Sequence, residues 1–270
     1  MTERSPKPKL VVATPATQRR TAHEILEGVS KNAREELARP TPALFISGLA
    51  GGMTMGLTGM GVAVAHAYLG FGPIQEVLAT LLYPLGFIAV VIGRAQLFTE
   101  NTLYPVVLVL DERKHAVNTL RLWGTVFGAN VLGALGFAAL ATLSGALRPE
   151  YVKSLVELGV ISAQGNFGHL FWAGVIGGWL IALVAWMVTA SHYTIGQIVV
   201  VYLLTYLVGL GHFAHCIAAS GEILSAVLGG AASVGAYFHW LLPATLGNIA
   251  GGVTIVSLLN YGQVVAGQED

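Results

Sequence analysis

The chain has 270 residues, 54% of them apolar and only 10% charged, and its 14 lysines and arginines balance 14 acids. Soluble domains carry about 25% charged residues, so a mean hydropathy of +0.69 places most of this surface against something other than water. Zero net charge without a basic stripe excludes a nucleic-acid partner, and a single cysteine, Cys216, excludes an internal disulfide.

The charges are unevenly spread: eight of the 14 cations precede Thr41. About forty polar residues come before the first apolar run, so no signal peptide is expected. Within them Thr21-Ala22-His23-Glu24 has the form of a capping box, in which hydroxyl and carboxylate each satisfy a free N–H of a starting helix. Ile25, Leu26, Val29, Ala33 and Leu37 then recur at helical spacing opposite Lys31, Arg34 and Glu35, until Arg39-Pro40 ends the segment. The pattern predicts an amphipathic helix on the membrane surface or against a partner subunit, in an N-terminal segment 1–40.

A helical span needs about 20 apolar residues. Residues 41–72 supply the first, with His66 as its only titratable side chain, read as a packing residue. Residues 74–110 are too long for one straight crossing and are broken at 94–101. The third and fourth spans are 123–144 and 170–190; the fifth runs 195–211 and, after a second break, resumes from 223 to about 232; the last is 240–261. The expectation is an all-α membrane protein of six crossings, the second and fifth discontinuous, over a channel domain 41–262 with a tail 263–270. Trp123 and Trp240, near span ends, read as an aromatic belt, and Trp172, Trp179 and Trp186 as lipid-interface or packing residues. With the N-terminus inside, eleven cations (eight in the head plus Arg113, Lys114 and Arg121) face the cytoplasm, against Arg148 and Lys153 on the other side. That bias puts both termini in the cytoplasm.

The breaks are the informative part. The first is Gly93-Arg94-Ala95-Gln96-Leu97-Phe98-Thr99-Glu100-Asn101, and the second runs from Gly211-His212-Phe213-Ala214-His215-Cys216 to Ser220-Gly221-Glu222. A charged residue at membrane depth costs on the order of 2.5–3.5 kcal/mol on insertion scales unless it faces a cavity or a partner. Each break is followed by a span carrying an asparagine among glycines, Gly128-Ala129-Asn130-Val131-Leu132-Gly133 and Gly247-Asn248-Ile249-Ala250-Gly251. Thr99 precedes Asn130 by 31 positions and His215 precedes Asn248 by 33. Each half is therefore span, broken span, span. Three crossings per half set the halves in opposite orientations, as in many channels and secondary transporters, with a binding site where the breaks meet. Glycine runs such as Gly48, Gly51, Gly52, Gly56 and Gly174, Gly177, Gly178 allow close helix contact and say nothing of substrate.

At these residues the chain resembles the formate/nitrite transporter family, from about Thr21 to Gly262. Ala95-Gln96-Leu97-Phe98-Thr99 is similar to that family's first broken-helix loop, Gly-Ala-Asp/Glu-Leu-Phe-Thr. Phe213-Ala214-His215-Cys216-Ile217-Ala218 is similar to its second, Phe-Glu-His-Ser-Ile-Ala-Asn, and Pro243 with Gly247-Asn248-Ile249-Ala250-Gly251-Gly252 to its last span. The resemblance implies an aquaporin-like homopentamer with one pore per protomer in a cell membrane, expected to be a bacterial inner membrane. It implies as substrates small monovalent anions or their conjugate acids: formate, nitrite, lactate, hydrosulfide. Carried over by motif, His215 is the central pore histidine and Thr99 its hydrogen-bonding partner, with Leu97 and Phe98 lining the first loop and Phe87, Tyr83 and Val208 as candidate apolar constrictions. Asn130 and Asn248 have structural roles. The chain departs from the pattern at Arg94 (Gly in the family), Gln96 (an acid) and Ala219 (Asn), and has no lysine near 167–172.

The residues support His215 independently. Imidazole titrates near physiological pH, at about 6.5. A carboxylate entering an apolar constriction must shed its water, and protonation to the neutral acid removes most of that penalty. A hydrogen-bonded histidine would supply or polarise that proton, and half-helix N-termini would draw the anion inward. Other readings stay open at this point. Arg94 and Glu100 would pair with each other or with Glu222, or Arg94 would lure anions at the entry. His212 and His215 make half of a tetrahedral metal site, which Glu222 would have to extend, as in an intramembrane metalloenzyme. A channel for neutral solutes, and a sensor or scaffold without transport, are the remaining alternatives. No nucleophile elbow or phosphate-binding glycine loop is present, so neither another enzyme nor a cofactor is expected.

Overall fold

The computed structural model describes residues 19–267, so the first 18 residues of the N-terminal segment and the last three of the tail lie outside it. Among the described residues every regular element is helical. Helix α1 (Ala22–Ala38) opens on the expected capping box: the Thr21 hydroxyl accepts from the Glu24 N–H at 3.2 Å, and the Thr21 N–H donates to the Glu24 carboxylate at 2.7 Å. Its apolar face is buried at Val29, Ala33 and Leu37. That face packs on the chain's own helices α5 (Tyr104–Glu112) and α8 (Phe167–Ala190), which corrects the placement on a lipid surface or a partner subunit.

Five stretches are long and apolar enough to cross a membrane: α2 (Thr41–Leu69), Pro73–Ile92, α6 (Ala116–Leu143), α8, and Val234–Ala266. The second of these carries a turn at Leu81-Leu82-Tyr83 that divides it into α3 (Pro73–Thr80) and α4 (Pro84–Ile92). Pro84 contributes by lacking an N–H to continue the ladder, although Tyr83 before it keeps helical dihedrals (φ −56°, ψ −39°). After the first break a 3₁₀ turn (Glu100–Thr102) leads into α5. The shorter apolar pair α9 (Thr194–Leu210) and α10 (Ala218–Leu228) flanks the second break.

Several boundaries differ from expectation. The third span begins at Ala116, seven residues early. Helix α10 resumes at Ala218 rather than 223, so Glu222 lies within a helix and not in the break. The last stretch starts at Val234 as α11 (Val234–Ala250), passes through a π-helical segment (Gly251–Leu258) and ends as α12 (Leu259–Ala266). There the Ser257 hydroxyl donates to the Thr102 carbonyl at 3.0 Å, holding the turn of the first break. Helix α7 (Pro149–Ser162) lies outside the expected spans; too short and too charged to read as one, it buries Leu155, Leu158 and Gly159 against α10 and α2. The belt assignment also fails. Trp240 is 1% exposed inside the core, and the Trp123 indole N–H donates to the Asn101 carbonyl at 2.8 Å.

Two close helix pairs set the frame, α2 with α6 and α8 with α11. A Cβ on Gly52 would lie 2.0 Å from the Asn130 carbonyl oxygen, and one on Gly178 would lie 2.2 Å from that of Asn248. Backbone meets backbone at both crossings, and only glycine permits it.

Candidate functional site

Each break is gripped by one asparagine. Asn130 accepts from the Phe98 N–H at 2.9 Å and donates to the carbonyls of Gly48 (2.7 Å) and Gln96 (2.9 Å). Asn248 accepts from the Cys216 N–H at 2.9 Å and donates to the carbonyls of Gly174 and Ala214, both at 2.8 Å. The shared spacing, Phe98 to Asn130 and Cys216 to Asn248, is 32 residues in both halves. The unequal spacings read from Thr99 and His215 therefore resolve into one register, in which His215 corresponds to Leu97 and Thr99 to Ile217. Gly93-Arg94 and Gly211-His212 also correspond: Arg94 (φ 57°) and His212 (φ 50°) are both left-handed, and the next N–H reaches back to Val90 (3.1 Å) or Val208 (3.0 Å).

The breaks bring Thr99 and His215 together. Thr99 Oγ1 lies 2.8 Å from His215 Nε2, and both residues are fully buried. On the other side of the ring, Nδ1 accepts from the N–H groups of Ala218 (3.0 Å) and Ile217 (3.4 Å), the free donors at the start of α10. Since two N–H groups point at Nδ1, that nitrogen carries the lone pair and Nε2 the proton, an assignment made from the hydrogen bonds. His215 Nε2–H then donates to Thr99, leaving the threonine's own O–H free to donate elsewhere. The Phe87 ring meets the imidazole edge-on at 5.0 Å, and Tyr83 follows at 5.7 Å from Phe87.

The protomer also holds two cavities, its two vestibules. The first, about 320 Å³, is walled by α1 and the first break, with Arg20, Lys31 and Glu36 facing Arg94, Gln96, Leu97 and Glu100. The second, about 340 Å³, is lined by Glu76, Tyr83, Val208, His212 and Glu222. His215, Thr99 and Phe87 line neither. Phe98 instead packs edge to face on Phe127 (5.0 Å) and Trp123 (5.8 Å) of α6.

Arg94 makes no ion pair among the described residues, though Glu100 and Glu36 share its vestibule. The pairing with Glu222 is not formed, because that carboxylate lies in the other vestibule, where it accepts from Ser162 Oγ at 2.9 Å. The Gln96 side chain is spent on Asn101, whose amide donates to it at 2.9 Å. His212 faces the second vestibule with its side chain 64% exposed, whereas both nitrogens of His215 are engaged, so the two do not converge on a metal. No cluster of metal-ligating side chains occurs among the described residues.

Residues 23–262 match the family described as Formate/nitrite transporter, nearly the whole chain. The chain belongs to the formate/nitrite transporter family. Its relatives include the inner membrane protein YfdC of Escherichia coli (strain K12), 33% identical over 90% of this chain and 79% of that protein. A probable formate transporter of Methanothermobacter thermautotrophicus is 30% identical over 67% of this chain and 72% of its own length. Among solved structures, an FNT family ion channel superposes with a TM-score of 0.79 at 18% identity, covering 90% of this chain and 99% of that one. A pentameric formate channel with formate bound gives 0.71 at 18% identity over 83% and 98%. The fold is that of the formate/nitrite channels, and the protein is a membrane transporter of that family, not an enzyme.

Proposed function

We propose that the protein is a channel for small monovalent anions of weak acids, formate-like in size, which cross a seal at His215 as anion plus proton. The observation that carries this is the buried Thr99–His215 pair, with Phe87 edge-on to the imidazole and neither residue lining the vestibules. A desolvated anion has no favourable route through such a seal, whereas a neutral acid does. His215 serves as a fixed neutral donor and not as a proton store. Protonating Nδ1 would cost the cap on α10, so the proton travels on the substrate, while the Thr99 hydroxyl, polarised by Nε2–H, donates to a substrate oxygen.

Names given to relatives and neighbours point the same way: formate in two of them, a pentamer in one. We read this chain likewise as a homopentamer, with residues 41–262 as its channel domain in a bacterial inner membrane. Large apolar side chains on the protomer's outside, such as Leu132, Leu140 and Leu203, suit lipid or neighbouring subunits. The cation bias places both termini in the cytoplasm, so the first vestibule opens inward and the second outward.

The test is flux into proteoliposomes. Formate uptake that rises with an inward proton gradient is expected, and falls in His215→Asn, which keeps an acceptor for the α10 N–H groups. Equal passage of neutral solutes with no effect of pH would overturn the reading.

A further inference from the structure

Glu222 has no part in the seal, yet its surroundings are shaped to hold it. It lies on the face of α10 that Ala219 also presents to the second vestibule, and it is 6% exposed. Bare backbone makes its slot: a Cβ on Gly59 would come within 2.4 Å of Glu222 Cγ, and one on Gly159 within 2.1 Å of the Glu222 carbonyl oxygen. One carboxylate oxygen accepts from Ser162 at 2.9 Å. No lysine or arginine lines this vestibule. The ionisable groups that face it are Glu76 from α3, Tyr83 from the turn before α4, His169 from α8 and His212 from the second break. From α11, the Tyr237 hydroxyl is held by Ser220 at 3.0 Å, while α6 brings no ionisable side chain beyond Arg121 at its first turns. A carboxyl group at membrane depth with only a hydroxyl for a partner, in a vestibule lined by no lysine or arginine, is accommodated at least cost as the neutral acid.

We propose that Glu222, seated on Ser162, is the acid of the second vestibule that hands a proton to an entering monovalent anion before it meets the seal. This rests on the reading that the channel carries weak-acid anions, and supplies the proton that His215 does not. In the transfer the Glu222 O–H bond breaks and an O–H bond forms on the substrate. The neutral acid moves on, and the remaining carboxylate is held by the Ser162 hydroxyl until it is reprotonated. A proton source stands at the mouth. His66 Nδ1 lies 2.9 Å from the Gly70 carbonyl and must donate to it, and its Nε2 stands 3.1 Å from the Glu76 carboxylate without the alignment of a hydrogen bond. His212 Nε2 stands 3.7 Å from the other Glu76 oxygen.

Full-length protein in proteoliposomes, with formate as the probe, tests this. Glu222→Gln keeps the shape and the bond to Ser162 but has no proton to give. Uptake driven by an inward proton gradient is expected to fall on the order of tenfold or more, and Glu222→Asp to restore part of it. Infrared difference spectra of the wild type at neutral pH should contain a carboxylic-acid C=O band that Glu222→Gln lacks. A Glu222→Gln protein that matches the wild type in rate and pH profile overturns the assignment, as does absence of that band. Should Glu222→Gln not assemble, Ser162→Ala retains the acid, and a shift of the uptake pH profile supports the site while an unchanged profile counts against it. Failure of the wild type to carry formate or any weak acid would instead overturn the channel reading, and this assignment with it.

Discussion

Asn130 and Asn248 hold the two breaks with matching sets of hydrogen bonds, each side chain accepting one N–H and donating to two carbonyls across 2.7–2.9 Å. Each set encloses one residue between its grips, Leu97 in the first break and His215 in the second. Under the proposed reading the seal is an apolar side chain and an imidazole presented by equivalent scaffolds.

Equivalence of the scaffolds predicts equivalence of cost. Asn130→Ala and Asn248→Ala each leave a buried N–H, of Phe98 or Cys216, without its acceptor, a loss of about 1–3 kcal/mol before any packing defect is counted. Thermal unfolding of the assembled protein in detergent should drop by similar amounts in the two variants. A large effect in one and none in the other would refute the equivalence.

Arg94 and His212 occupy matching left-handed positions, where a side chain costs about 1–2 kcal/mol relative to the right-handed region. Arg94→Gly and His212→Gly should therefore both raise the unfolding temperature. Only Arg94→Gly removes a cation from the first vestibule, so only it should weaken anion entry from that side. That weakening should be largest at low ionic strength, where vestibule charges are least screened. Flux measured across a salt series, beside the two melting curves, separates the backbone effect from the charge effect.

The helix crossings make a third case. Gly52→Ala and Gly178→Ala drive a methyl into the Asn130 and Asn248 carbonyls at 2.0 and 2.2 Å, and helix pairs must separate to admit it. Overpacking of a fixed core costs about 1–3 kcal/mol and sometimes more. Both variants should yield less assembled protein, judged by size-exclusion chromatography. Gly136→Ala, whose Cβ would meet nothing within 4 Å of its own chain, is the comparison and should leave the yield unchanged.

How far the sequence could be read follows from where its information is local. Long apolar runs and polar interruptions are local, so the spans, both breaks and the capping box at Thr21 were legible, while the meeting of Thr99 with His215 was implied only by the family resemblance. Register between the halves was not legible, because Thr99 and His215 share a role in the seal without sharing a position in the repeat. Helix α7 escaped since its Lys153 and Glu157 give it the composition of a surface segment, and its burial depends on α10 and α2 arriving from elsewhere. Acidity within an apolar run assigns Glu222 to the break when only the sequence is read. The structure places it in α10, and the facing glycines Gly59 and Gly159 make room for it. The tautomer of His215 depends on backbone N–H directions, which no residue pattern encodes.

At the base of α1, Arg34 donates to the Glu112 carboxylate at 2.8 Å from Nη2 and 3.1 Å from Nε, and Lys114 and His115 reach the other oxygen at 2.8 and 3.0 Å. Hydrogen bonds from Lys114, His115 and Arg34 hold the Glu112 carboxyl down at about 2, from an ordinary 4.5. A depressed carboxylate stabilises the folded arrangement above its ordinary value and loses that contribution as pH falls toward the folded one. The clamp between α1 and α5 should therefore be intact at neutral pH and weaken between pH 4.5 and about 2. Since α1 walls the first vestibule, amide hydrogen exchange across Ala22–Ala38 should quicken over that window. Glu112→Gln should exchange faster already at neutral pH and lose the dependence across the window. Identical exchange in wild type and Glu112→Gln at every pH would show that the apolar face at Val29, Ala33 and Leu37 holds the helix without the clamp.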